Sequence, residues 1–105
     1  MFTGPSRRNT IKMAQEIASY AMQIRILGKV NGPEKAKLIE QMKANGVPTT
    51  MRQLIEAAAS VAAKQKMGRL RKNQYLGAIQ GHLVNMGMSD LEATSLKNTI
   101  EVLAS

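Results

Sequence analysis

No stretch of this 105-residue chain alternates apolar and polar side chains, whereas apolar residues recur along it at spacings of three and four. A half-buried strand needs the first pattern and one face of a helix needs the second. Composition points the same way. There is no Trp, one Phe and two Tyr, β-branched residues are thinly spread, and Met occurs eight times beside many Ala. Ala and Met favour helix, and the missing residue types are those that favour sheet. The expected fold is all-α: a compact bundle of four to five short helices.

Five segments carry the pattern. Met13, Ile17, Tyr20, Ile24 and Leu27 lay a stripe along a first helix over 10–27. Ala14, Ala18 and Ala21 flank the stripe and are small enough to let a neighbour approach. Pro33 opens a second helix at a position where its missing N–H costs nothing, and Asn45-Gly46 stops it. After Pro48, Thr50 and Gln53 have the spacing of a capping box, followed by Leu54, Ile55, Ala58 and Val61 at helical period. At Gly68 two paths are open: the third helix ends, or it bends and continues. Leu70, Leu76, Ile79 and Leu83 mark the inward side of a fourth segment over 70–86. Within it Gly77 and Gly81, four apart, would permit close backbone contact with another helix. Gly87 ends that segment. Ser89 and Glu92 form a second capping box, Met88 is placed to staple onto Ala93, and Leu91, Leu96, Ile100 and Leu103 give the last helix its apolar face. Residues 1–9, with Pro5, Arg7 and Arg8, read as a flexible basic arm ahead of a single helical domain over 10–105. The succession of helix, Gly, apolar residue and cap occurs at Gly46-Val47 and at Gly87-Met88, and reads as a shared way of ending helices.

Several function classes are excluded by what is missing. The run over 57–63 is the longest apolar stretch, far short of the ~20 residues that a spanning helix needs, and no apolar segment follows Arg7 and Arg8 as a secretory signal would require. With no Cys there is neither a disulfide scaffold nor thiol chemistry, which fits a cytoplasmic location. His82 is the sole histidine, Asp90 the sole aspartate, and the six Glu are scattered. Metal sites and His-based triads lack their partners, so neither an enzyme nor a cofactor nor a metal is expected. A core of Ala, Met, Ile and Leu is thin, and self-association into a homo-oligomer is a common remedy.

Charge is the informative signal. The chain carries fifteen Lys and Arg against seven acids, a formal charge of +8. The stretch over 57–89 contains no acid, and Lys64, Lys66, Arg69, Arg71 and Lys72 fall within nine positions of it. Cations this crowded repel one another; a polyanion whose counterions they release would stabilise them together. Tyr75 follows and is a candidate to stack on an exposed base, while Arg7 and Arg8 supply a second contact from the arm. Sharper motifs fail. A helix-turn-helix around Gly46 would bury Gln41, Asn45 and Arg52, and one around Gly87 would begin its recognition helix with Asp90-Leu91-Glu92, setting acids against phosphates. The segment over 83–93 resembles the first helix and loop of ubiquitin-associated domains; Met88 stands where they carry an aromatic, and the chain ends before their remaining helices. A glycine-capped helix end accounts for it. The expectation is a small non-enzymatic accessory or regulatory protein that binds DNA or RNA through this basic helical surface. The alternatives are a protein–protein adaptor or inhibitor, acidic partners included, and a structural assembly subunit.

Overall fold

The computed structural model describes residues 4–105 and consists of helices joined by short turns. They are α1 (Arg7–Leu27), α2 (Gly32–Ala44), α3 (Met51–Lys64), α4 (Arg69–Asn85) and α5 (Asp90–Ala104). Four of them close a ring in which α1 packs on α4, α4 on α5, α5 on α3 and α3 on α1. α1 and α4 begin at one end of this ring, where α3 and α5 finish, so neighbours are alternately parallel and antiparallel. α2 touches mainly α1 and buries only Met42. The long dimension of 51 Å exceeds the ~31 Å that α1 spans at 1.5 Å per residue.

The closest packing is between α1 and α4, and the alanines explain it. Ala14, Ala18 and Ala21 are wholly buried together with Ile17, and they face Tyr75, Leu76, Ile79 and Leu83 of α4 within one core that also takes in Leu54, Ala58, Ala93 and Ile100. Met13, Tyr20 and Ile24, expected at the centre of the α1 stripe, pack around its edge. Across the ring, between the sequence neighbours α3 and α4, the Tyr75 hydroxyl donates to the carbonyl of Ala58 at 2.8 Å.

Three helix ends are built alike. At α2, α3 and α4 the closing N–H of Val47, Met67 and Met88 reaches back to the carbonyl of Met42, Ala62 and Leu83, at 2.8, 3.1 and 3.0 Å. The preceding residue in each turn (Gly46, Lys66, Gly87) donates to the carbonyl three positions before it, the paired bonds of a Schellman cap. This motif needs a left-handed residue, and glycine supplies it twice, with φ of 71° and 105°. At the third, Lys66 adopts φ 53°, the one non-glycine residue with positive φ among the described residues. α3 therefore ends before Gly68, which then caps α4.

Several expectations need correction. α1 starts at Arg7, capped by the Ser6 side chain accepting from the Asn9 N–H, so residues 7–9 of the expected arm are helical; residues 1–3 of that arm lie outside the described residues. Leu70 is exposed, because it lies about 140° round α4 from Tyr75 at 100° per residue. Leu91 and Leu103 are exposed for the same kind of reason: α5 buries the face of Ala93 and Ile100. Gly77 and Gly81 are exposed, with nothing within 4 Å of where a Cβ would stand, so they mediate no close helix contact. Each capping box is half made. Thr50 and Ser89 accept from the N–H of Gln53 and Glu92, but Gln53 turns to the N–H of Thr49 and Glu92 to Arg25.

Candidate nucleic-acid interface

The cations of the acid-free stretch sit on the α3–α4 turn and the helix ends beside it, the end of the ring where α1 and α4 begin. Lys64 is the last residue of α3, Lys66 occupies the turn, and Arg69, Arg71 and Lys72 fall in the first turn or so of α4. Two contacts bring the N-terminal segment to the same place. Arg71 Nε donates to the carbonyl of Pro5 at 3.2 Å. Gly4 lies so close to the turn that a Cβ there would stand 3.2 Å from the carbonyl oxygen of Lys66. Arg7 and Arg8 follow directly as exposed residues in the first turn of α1. Residues about sixty positions apart in sequence thus share one surface.

The seven cations do not have the same surroundings. Lys64, Lys66, Arg69, Arg7 and Arg8 are exposed, whereas Arg71 and Lys72 are partly buried. Arg71 spans Pro5 and Gln74, reaching Gln74 Oε1 at 2.6 Å. Lys72 Nζ donates to the Ala104 carbonyl at 3.0 Å, closing the negative end of α5. These two hold the surface together, and the other five face solvent. None of the seven pairs with a carboxylate among the described residues; the ion pairs found there, Arg25–Glu92 at 2.7 Å and Arg52–Glu56 at 3.5 Å, lie elsewhere.

Helix polarity adds to the positive potential. Neither α1 nor α4 has an acid in its first turn, and the α4 cap, Gly68, has no side chain to satisfy the free N–H groups. Cations at the positive end of a helix are unfavourable by roughly 0.3–1 kcal/mol each when exposed. Arg7, Arg8 and Arg69 accept that arrangement; an anion docked among them would reverse its sign.

Tyr75 does not belong to this surface. Its ring is fully buried and its hydroxyl is engaged by Ala58, so it presents no face to a base; burial chiefly, and secondarily the charge of Glu16, push its phenol well above the ordinary range. The position falls on the same α4 face as Leu76, Ile79 and Leu83, a periodicity already visible in the sequence. Two features escaped sequence reasoning altogether. Lys66 signals a helix end only to a reader who accepts lysine at a glycine position, and the approach of Gly4 and Pro5 to the turn depends on tertiary packing.

Among the described residues no three His, Asp or Glu side chains gather as metal ligands would, and no helix is long and apolar enough to cross a membrane. No family model, curated protein or solved structure matches the chain.

Proposed function

We propose that this chain is a small non-enzymatic, cytoplasmic accessory protein that binds nucleic acid through Arg7, Arg8, Lys64, Lys66 and Arg69, with Arg71 and Lys72 fixing the surface that presents them. One observation carries the reading. Seven cations from two distant parts of the chain converge on one end of the bundle, with no carboxylate paired to any of them among the described residues. Phosphate neutralisation by such a surface is independent of sequence, because the phosphates it contacts carry no base identity.

The test is binding to labelled duplex DNA, single-stranded DNA and RNA across a range of salt. If each of the five exposed cations neutralises one phosphate of B-DNA, log K falls with log salt at a slope of about −4.5, so a fourfold rise in salt weakens binding about 500-fold. Replacing Lys64, Lys66 and Arg69 with Gln flattens the slope by about three units of charge. Binding that keeps its affinity and slope in this variant removes the surface from the mechanism.

A further inference from the structure

We propose that the solvent face of α5 is the interface of a homodimer, in which two copies pair their α5 helices antiparallel about a two-fold axis. Leu91, Ser95, Asn98 and Val102 lie on that face at spacings of four, three and four, the seam of a supercoiled helix pair. All four are exposed, and the two apolar ones strongly so: Leu91 is 84% and Val102 76% accessible. The seam is symmetric about the point between Leu96 and Lys97. An antiparallel copy therefore sets Leu91 against Val102 of the second copy and Ser95 against its Asn98, each pair occurring twice. Apolar meets apolar and hydrogen-bonding group meets hydrogen-bonding group, as an isologous contact requires.

Charge selects the occupant. α5 carries Asp90, Glu92 and Glu101 against Lys97, while each of the other four helices has more cations than acids. Two molecules of formal charge +8 repel least through the one helix that is not basic, and the seam itself is uncharged. Leu91 also borders a groove lined by Met51 and Ile55 of α3, which extends the apolar ground beside the seam. A central Ser–Asn pair fixes register at some cost in stability, and three turns of helix offer less than the ~800 Å² per partner of a standard interface. The dimer is therefore specific and weak.

The experiment uses the full chain free of nucleic acid. In light scattering the mass rises with concentration from 11.5 kDa toward twice that value, and the shift grows with salt as repulsion between copies is screened. This is the opposite of the salt response expected for nucleic-acid binding, so the two proposals stand or fall separately. Leu91→Lys and Val102→Lys each keep the helical circular dichroism signal, since both side chains are solvent-exposed, and each keeps the protein monomeric. Orientation is read by oxidation in a chain with no cysteine of its own. A mixture of Leu91→Cys and Val102→Cys gives the mixed disulfide, whereas neither variant cross-links alone, its own copies standing about 16 Å apart along the helices. A mass independent of concentration overturns the proposal. So does a dimer that survives both lysine variants, which another surface of the chain must then hold, and so does self-cross-linking of Leu91→Cys.

Discussion

Lys66→Gly is expected to make this protein more stable and a weaker polyanion binder at once. Lys66 holds φ 53° in a turn whose two counterparts use Gly46 and Gly87. A left-handed conformation costs an ordinary L-residue about 1–2 kcal/mol. Glycine avoids that cost but loses more backbone freedom on folding, about 0.5–1 kcal/mol. The difference leaves Lys66→Gly about 0.5–1 kcal/mol more stable, a rise in Tm of about 2–5 °C for a chain of this length. The side chain is exposed and makes no ion pair among the described residues, so no contact is lost with it.

Removing a cation from a crowded patch also relieves repulsion, so the control is Lys66→Gln, which deletes the charge and keeps the strained backbone. Thermal and denaturant unfolding of the three proteins separate the two effects. The backbone contribution is the stability of Lys66→Gly over Lys66→Gln, and both variants lower the salt slope of binding by about one unit of charge. If Lys66→Gly is no more stable than Lys66→Gln, the left-handed lysine is not strained and the argument from the three matched caps fails. If Lys66→Gln binds as tightly as the parent chain, the turn is not part of the interface, and the strain serves no polyanion.

Gly77→Ala and Gly81→Ala should each stabilise the protein by about 0.5–1 kcal/mol, because both sites are exposed within α4 and open around a Cβ; a loss of stability would mean that something packs on that face. Tyr75→Phe should cost about 1 kcal/mol through the lost bond to Ala58, read by urea unfolding. Burial raises the Tyr75 phenol above its ordinary value of 10.0. Below pH 10 both folded and unfolded chains keep its proton, and the stability tied to it is fully present. Above pH 10 the unfolded chain releases the proton that the folded one retains, so stability falls with rising pH, and Tyr75→Phe flattens that fall. Gly4→Ala should weaken binding without touching a charge, since its Cβ meets the Lys66 carbonyl at 3.2 Å and pushes the segment before Arg7 off the turn; unchanged affinity would show that Arg7 and Arg8 act independently of the turn.

The helical class and most helix ends were legible because they depend on local chemistry: Ser6 aside, each side-chain cap lies where spacing placed it, at Thr50 and Ser89. The inward faces were legible only where the apolar stripe was unambiguous. Tyr75 and Leu70 belong to the same helix and both are large and apolar enough to face inward, but only one phase of α4 can meet α1, and Leu76, Ile79 and Leu83 fix that phase with Tyr75. Likewise α5 buries small Ala93 and leaves large Leu91 in solvent, an inversion that residue size alone misreads. The basic surface was half legible. Its 64–72 part is contiguous in sequence, whereas its attachment to Arg7 and Arg8 runs through Gly4 and Pro5 contacts some sixty residues away.

That division of labour within the cluster bears on how its function can be measured. In sequence Arg71 and Lys72 read as members of the patch like the rest, yet each is held by a carbonyl: Arg71 by Pro5, Lys72 by Ala104. Substituting them perturbs the N-terminal segment and the end of α5 together with the charge, so a loss of binding in such variants reports geometry as much as phosphate contact. Lys64, Lys66 and Arg69 have no such structural partner among the described residues, and charge removal there leaves the bundle intact. The two groups therefore predict different signatures. Loss at the exposed three scales with the number of charges removed and vanishes at high salt, whereas loss at Arg71 exceeds one charge's worth because Arg7 and Arg8 are displaced with it. Equal single-charge effects at all five positions would mean that the N-terminal segment needs no anchor, and that the surface works as a diffuse cloud of charge rather than a built one.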